Sequence, residues 1–273
     1  MADGRPQETA TPLAANFDQI APVYDATFTA NLSTRLQRER TWRSMEEYFP
    51  PACRILEMSC GTGEDAFHLA SLGYRVESYD ASPGMIQQAT QRALEFHGPG
   101  SARFDQLAFE QMHVLRGQAF DAGLTNFGGL NCLEDLPAAF RGFATVLAPG
   151  APLIVNLIGR FCLWEMAWPL LRGRWRDTLH RAKGYEEVSG GRVRYPSVHE
   201  VRRSFAPWFR ERSVQALGLT LPSYRIAAKF ENHSRLLRSL AALDSVIACW
   251  PGLRALGDNT VFVLERNASS VAD

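Results

Sequence analysis

Residues 55–67 read ILEMSCGTGEDAF, passing from an apolar run into a glycine pair and then into a helical pattern. A strand that turns tightly into a helix in this way aims backbone N–H groups and a helix N-terminus at a ligand. Gly61-Thr62-Gly63-Glu64-Asp65-Ala66 satisfies G-x-G-x-x-A, and Asp80 lies downstream, where an acid meets a ribose hydroxyl in dinucleotide-binding folds. The glycines alone suit phosphate and carboxylate equally. No G-x-x-x-x-G-K-[ST] is present, which argues against a P-loop. Glu57, four positions before Gly61, tips the balance. Its carboxylate would repel a pyrophosphate and would suit a ligand carrying cationic ammonium and sulfonium groups.

Outward from this turn, strands and helices alternate. RILEM (54–58) reads as a strand, and GEDAFHLASLG as a helix closed by Gly73. RVESYD (75–80) is a second strand, followed by Ser82-Pro83 as N-cap and first helical residue, with Met85, Ile86, Ala89, Ala93 and Phe96 on one helix face. ARFDQLA (102–108) and FDAGLTNF (120–127) read as strands three and four. APLIVNLIG (151–159) is a continuous apolar strand of the buried parallel type. On the N-terminal side, Phe17, Ile20, Tyr24 and Phe28 have helical spacing, with Pro22 as a possible interruption, and 32–49 also reads helical. After strand five, FCLWEMAWPLL (161–171) is apolar nearly all round, which predicts a buried helix, a pocket wall or a subunit interface. SVQALGLTL (213–221) and TVFVLER (260–266) read as late strands with helices between them. The pattern predicts an α/β fold: a doubly wound, mostly parallel seven-stranded sheet with helical N-terminal and post-strand-five caps.

The 273 residues suffice for a substantial core, and 29 basic residues balance 29 acidic ones. No global basic field points to nucleic acid, and no apolar run reaches membrane-spanning length. The polar start does not read as a signal peptide, and five scattered cysteines without a CxxC pair suggest a reducing cytoplasm and no metal site. Charge is nonetheless uneven. Residues 160–212 carry eleven arginines and one lysine against six acids, a net of +6. This stretch reads either as a solvated helical insertion or as a basic cap that attracts an anionic substrate or acidic carrier.

At Glu57-Met58-Ser59-Cys60-Gly61-Thr62-Gly63 the sequence resembles the class I S-adenosylmethionine-dependent methyltransferases, whose first motif runs acid-x-G-x-G-x-G. YDASPGM (79–85), FDAGLTNFGGLN (120–131), VLAPGAPLIV (146–155), LGLTLP (217–222) and RALGDNTVFVLER (254–266) continue the resemblance over about 16–159 and 213–266. Ser59 departs from the motif's first glycine; a serine there needs an allowed backbone conformation or stores strain of about 1 kcal/mol or more.

The resemblance implies S-adenosylmethionine as cofactor and S-adenosylhomocysteine as product. It places Glu57 near the methionine ammonium and Ser59, Cys60, Gly61 and Gly63 in the turn. Asp80 would accept the ribose hydroxyls, Ala81 and Met85 pack on the adenine, and Leu107 and Ala108 flank its edge. Asn126 and Phe127 would lie beside the sulfonium, with Tyr24 closing over the cofactor.

For the acceptor, Trp164, Trp168 and Tyr195 are the candidate substrate-binding residues, and His199, His113 and Asn131 the candidate catalytic ones. Tyr185 and Glu200 belong to the same pool. The expected organisation is a tail (1–13), an N-terminal cap (14–50), a cofactor core (51–159), a substrate cap (160–212), the rest of the core (213–267) and a second tail (268–273). The expected function is methylation of an oxygen or nitrogen of a small molecule, with aromatic and anionic acceptors both open. Nucleic acid and membrane are not expected as partners. A nucleic-acid methyltransferase lacks support because no N-P-P-[YF] motif is present. An NAD-dependent oxidoreductase and a noncatalytic binding protein on the same fold are the alternatives.

Overall fold

In the computed structural model, residues 12–174, 178–230 and 232–268 are described. The tails expected at 1–13 and 268–273 lie mostly outside them, although Pro12 and Leu13 already belong to a helix. The chain runs α1 (Pro12–Tyr24), a π-helical turn (Asp25–Thr29) and α2 (Leu32–Tyr48). The sheet region follows as β1 (Arg54–Met58), α3 (Glu64–Ser71), β2 (Arg75–Asp80), α4 (Pro83–Glu95), β3 (Ser101–Gln106), β4 (Ala122–Thr125), α5 (Leu136–Val146) and β5 (Pro152–Ile158). Then come α6 (Leu163–Leu170), a hairpin of β6 (Tyr185–Val188) and β7 (Gly191–Arg194), and α7 (Val198–Phe205). The chain ends with β8 (Phe209–Leu217), α8 (Tyr224–Ala227), α9 (Ser234–Ile247) and β9 (Asn259–Arg266).

Seven strands form one sheet in the order β3-β2-β1-β4-β5-β9-β8, with β9 antiparallel to both its neighbours. The parallel remainder explains the unbroken apolar reading of β5, which helices cover on both faces. Period-two alternation divides its residues: Leu153, Val155 and Leu157 enter one core with Phe140, Phe143 and Phe262. Ile154 enters the other with Met45, Ile55, Leu69 and Val261. The order reverses between β1 and β4, and it is outside the carboxyl ends of such strands that open α/β sheets hold ligands.

Local chemistry sets the helix starts that frame this crevice. Ser82 Oγ accepts the Met85 N–H at 3.1 Å and Pro83 opens α4. Asn31 Oδ1 accepts the N–H groups of Ser33 and Thr34 at the head of α2. α1 roofs the crevice because Asp18 Oδ1 accepts the Ser82 hydroxyl at 2.6 Å and the Gly84 N–H at 2.9 Å.

Two expectations need correction after strand five. Within the stretch expected to be a helical cap, 185–194 form a two-stranded hairpin, closed through Ser189-Gly190, both exposed. α7, inside that expected cap, instead packs Val201 and Phe205 into the main core, and β8 begins at Phe209, before the expected boundary. In the apolar 161–171 segment, Leu170 is 60% exposed and Leu171 81% exposed, so of the readings given for it full burial does not hold. No helix among the described residues is long and apolar enough to cross a membrane.

Candidate functional site

A cavity of about 300 Å³ opens at the carboxyl ends of β1, β2 and β4, beneath α1. The β1 turn gives it Ser59, Cys60, Gly61 and Thr62, the end of β2 gives Asp80 and Ala81, and the loop after β4 gives Asn126 and Phe127. Met85, Ala108 and Tyr24 complete the wall.

The turn holds its shape by backbone conformations that few residues accept. Gly61 and Gly63 have φ of 54° and 85°, and Ser59 sits at 60°. A Cβ on Gly63 would meet the Phe104 ring at 2.7 Å, so glycine is needed there for space as well as for φ. Ser59 therefore occupies a left-handed position without glycine's freedom, at a cost of roughly 1 kcal/mol or more. Asp80 ties the turn to β2: Oδ2 accepts the Gly61 N–H at 2.9 Å and Oδ1 the Ser82 N–H at 2.9 Å. Burial pushes the Asp80 carboxyl above its usual range, against the pull of these two N–H groups. Cys60 is also buried, which pushes its thiol well up and keeps it protonated.

Behind the turn lies a polar network that sequence patterns did not disclose. Arg38 on α2 donates to Asp65 Oδ2 at 2.6 Å, Trp42 Nε1 donates to Asp65 Oδ1 at 2.6 Å, and Asn126 Nδ2 donates to Oδ2 at 2.9 Å. Asn156 Nδ2 in turn donates to Asn126 Oδ1 at 2.8 Å. Arg38 and Asp65 both line the cavity, and the guanidinium stands 4.5 Å over the Phe127 ring.

Glu57 is placed differently from expectation. It does not line the cavity wall but is buried, accepting the Ser78 hydroxyl at 2.7 Å. Burial first, and the Asp65 charge second, push its carboxyl up to about 8.

Leu107 also stays out of the wall, packing against the main core while its neighbour Ala108 faces the cavity. Tyr24, Phe127, Gly128 and Cys132 border a second chamber of about 300 Å³ as well. That chamber runs back between the π-helical turn, the β6–β7 hairpin and α8, with Tyr195 in its wall.

The remaining candidates fall elsewhere. Trp164 and Trp168 are packing residues: the first donates its indole N–H to the Thr220 carbonyl at 2.7 Å, and both meet Phe230 edge-on, at 5.4 and 5.7 Å. His199 is exposed on α7 and lines neither chamber. His113 faces a separate groove with Arg116 and Arg141. Asn131 is fully buried and spends its amide on the carbonyls of Ile158 and Arg194, at 3.0 and 2.5 Å. Tyr185 stacks under Arg192, and Glu200 caps α7 through Ser197 and pairs with Arg160. Other cap arginines are likewise paired, Arg192 with Glu187, Arg202 with Glu211 and Arg181 with Glu165.

S-Adenosylmethionine fits the residues present. Glu64, Asp65, Asp80, Glu110 and Glu134 in the wall outnumber Arg38 and Arg192, the balance wanted by a ligand with cationic ammonium and sulfonium groups and ribose hydroxyls, and the wrong one for a pyrophosphate. When bound, this group supplies an electrophilic methyl.

Known proteins agree with this geometry. Residues 55–150 match a family described as "Methyltransferase domain". A "2-phytyl-1,4-naphtoquinone methyltransferase" of Synechococcus elongatus is 31% identical over 148 residues, which cover 50% of this chain and 58% of that protein. The match therefore spans under two thirds of that relative's length. An "S-adenosyl-L-methionine-dependent Diels-Alderase iccD" of Talaromyces variabilis is 30% identical over 135 residues, 47% of this chain and 43% of that protein. Among solved structures, the "[4+2]-Cyclase SpnF" superposes with a TM-score of 0.65 at 14% identity, over 96% of this chain and 97% of that one. Sheet order and the glycine turn agree with the match of residues 55–150 to a methyltransferase domain, and the chain is similar to S-adenosylmethionine-dependent methyltransferases over that region.

Proposed function

We propose that this protein transfers a methyl group from S-adenosylmethionine to a small, ring-containing molecule held in the second chamber. The observation that carries the reading is the shared wall: Tyr24, Phe127, Gly128 and Cys132 border both cavities, so the two ligands would meet there with little water between them. The quinone methyltransferase among the relatives supports a flat acceptor. The residues bind, orient and exclude water, and the donor is already activated, so a strong base is not required.

Incubation with S-adenosylmethionine and a panel of phenols, quinols and amines, read by mass spectrometry, tests this. A product heavier by one CH₂, with S-adenosylhomocysteine formed in equal amount, is expected. A product of unchanged mass would instead support the cyclase-like chemistry named for one relative. NAD reduction in place of either would sink the reading.

Glu57 gives the proposed cofactor site a pH signature. Its carboxyl titrates at about 8 in the folded chain, against an ordinary value of 4.5, so Glu57 contributes stability below pH 4.5 that is lost as pH rises toward 8. A cation bound nearby favours the ionised form, so binding near pH 7 expels the Glu57 proton. Titration with S-adenosylhomocysteine in phosphate and Tris, whose ionisation enthalpies differ, should show more proton release for the wild type than for Glu57→Gln. Equal release by the two would separate Glu57 from the cofactor.

A further inference from the structure

The second chamber has two unlike walls. One is aromatic: Phe28 lies 5.2 Å from both Tyr24 and Tyr224 and meets Phe127 edge-on at 5.7 Å. A flat ring gains roughly 0.5–1.5 kcal/mol from each well-placed ring contact beyond its burial. The other wall carries Glu165, Asp258 and Glu186 with Arg181 and Arg225.

Two of those acids are already paired, Glu165 with Arg181 and, at Oε2, with His180 3.0 Å away, and Asp258 with Arg181. Arg181 Nη2 donates to Glu165 at 2.6 Å and to Asp258 Oδ1 at 2.9 Å, while Nη1 donates to the Gly159 and Asp258 carbonyls. Potential ligand atoms of Cys162, Glu165 and Asp258 lie within 4.8 Å of one another, but this guanidinium already supplies their cation. The cluster is structural.

Glu186 differs. It stands on β6 and accepts at Oε2 twice, from Tyr195 Oη at 2.6 Å and from Arg225 Nη2 at 2.6 Å. Tyr195 is buried beside β7 and Arg225 sits on α8, so the pair fixes the carboxylate between hairpin and helix. Among the described residues, Oε1 makes no hydrogen bond. Burial works to raise the Glu186 carboxyl, yet the Tyr195 and Arg225 hydrogen bonds outweigh it and hold the group below its usual range, ionised. Arg181 and Arg225 offset most of the acidic charge, which leaves an acceptor rather than a field that would select a cation.

We propose that Glu186 determines acceptor specificity, and that the chamber takes a flat ring with a free hydroxyl, its face against Phe28 and Tyr224 and its O–H donating to Glu186 Oε1. The proposal rests on the methyl-transfer reading, and it names the acceptor class for it. A hydroxyl that donates to a carboxylate carries more electron density on its oxygen and in its ring, which is what attack on an electrophilic methyl requires.

The test compares 2-naphthol with its methyl ether, 2-methoxynaphthalene, by calorimetric titration of the full chain with and without S-adenosylhomocysteine. The rings match and only the donor differs. 2-Naphthol should bind at least about tenfold more tightly, as expected for one hydrogen bond to a charged group. Glu186→Leu should erase that preference while S-adenosylhomocysteine affinity stays unchanged, and Glu186→Gln should reduce it at least threefold. Equal binding of both probes by the wild type, no saturable binding of either, or a preference retained in Glu186→Leu would overturn the proposal. The wild-type ratio decides even where a variant fails to fold. Selective binding of 2-naphthol by a protein that ignores S-adenosylhomocysteine would leave Glu186's role standing and sink the methyl-transfer reading.

Discussion

Asp65→Ala is expected to cost about 3–5 kcal/mol of stability, because it strands a buried charge. Three donors converge on this carboxylate: Arg38 Nη1, Trp42 Nε1 and Asn126 Nδ2. Both ion-pair partners are almost fully buried. Burial works against the Arg38 charge, and Asp65 more than offsets it, so the guanidinium remains firmly protonated. Without Asp65, Arg38 must either stay charged with no partner or pull α2 away from the cavity. Asp65 also lies in the first turn of α3, where a negative charge opposes the helix dipole and contributes roughly 0.3–1 kcal/mol. Against a total stability of about 5–15 kcal/mol the loss is severe, and the melting temperature should fall by roughly 10 °C. Calorimetric unfolding checks it. The double variant Arg38→Met, Asp65→Leu should recover much of the loss, since replacing both charges removes the stranded one. A single-variant cost under about 1 kcal/mol would mean that water or a neighbour takes the place of Asp65.

This network also marks where sequence reading stopped. β1 and β2 were legible residue for residue, because apolar alternation and the glycine turn are local signals. At Ser59 the motif leaves open an allowed backbone or stored strain, and its φ of 60° puts it in the left-handed region, where a serine is strained. Arg38 and Asp65 lie 27 positions apart on two different helices, and nothing near either residue announces that they meet. The β6–β7 hairpin escapes pattern reading because half of its strand residues, Tyr-Glu-Glu-Val and Gly-Arg-Val-Arg, are charged and half are exposed. They lack the apolar alternation of a core-facing strand. The Ser189-Gly190-Gly191 turn was the one available cue. Trp164 and Trp168 misled for the opposite reason: indoles at helical spacing look the same whether they face a ligand or, as here, Phe230. Glu186 carries no local signal, because its importance comes from Tyr195 and Arg225, which reach it from beyond β7 and from α8.

Asp80→Ala should weaken binding of S-adenosylhomocysteine by roughly a hundredfold or more while barely changing stability. Two carboxylate hydrogen bonds to ribose hydroxyls contribute about 1.5–3 kcal/mol each, and each 1.4 kcal/mol is a factor of ten in affinity. The same oxygens now receive the Gly61 and Ser82 N–H groups, and the cavity is bordered by the carboxylate itself. A carboxylate accommodates further donors, having about four lone-pair sites. Stability should respond weakly because two effects oppose. Removing Asp80 frees the Gly61 and Ser82 N–H groups, but it also removes an anion whose burial raises its carboxyl above the usual range. Asp80→Asn keeps the shape and one acceptor, so its affinity should fall between wild type and alanine. Calorimetric titration beside thermal unfolding separates the two quantities. Parallel losses of affinity and melting temperature would make Asp80 a scaffold for the turn. A large affinity loss at constant melting temperature would make it the ribose-binding acid.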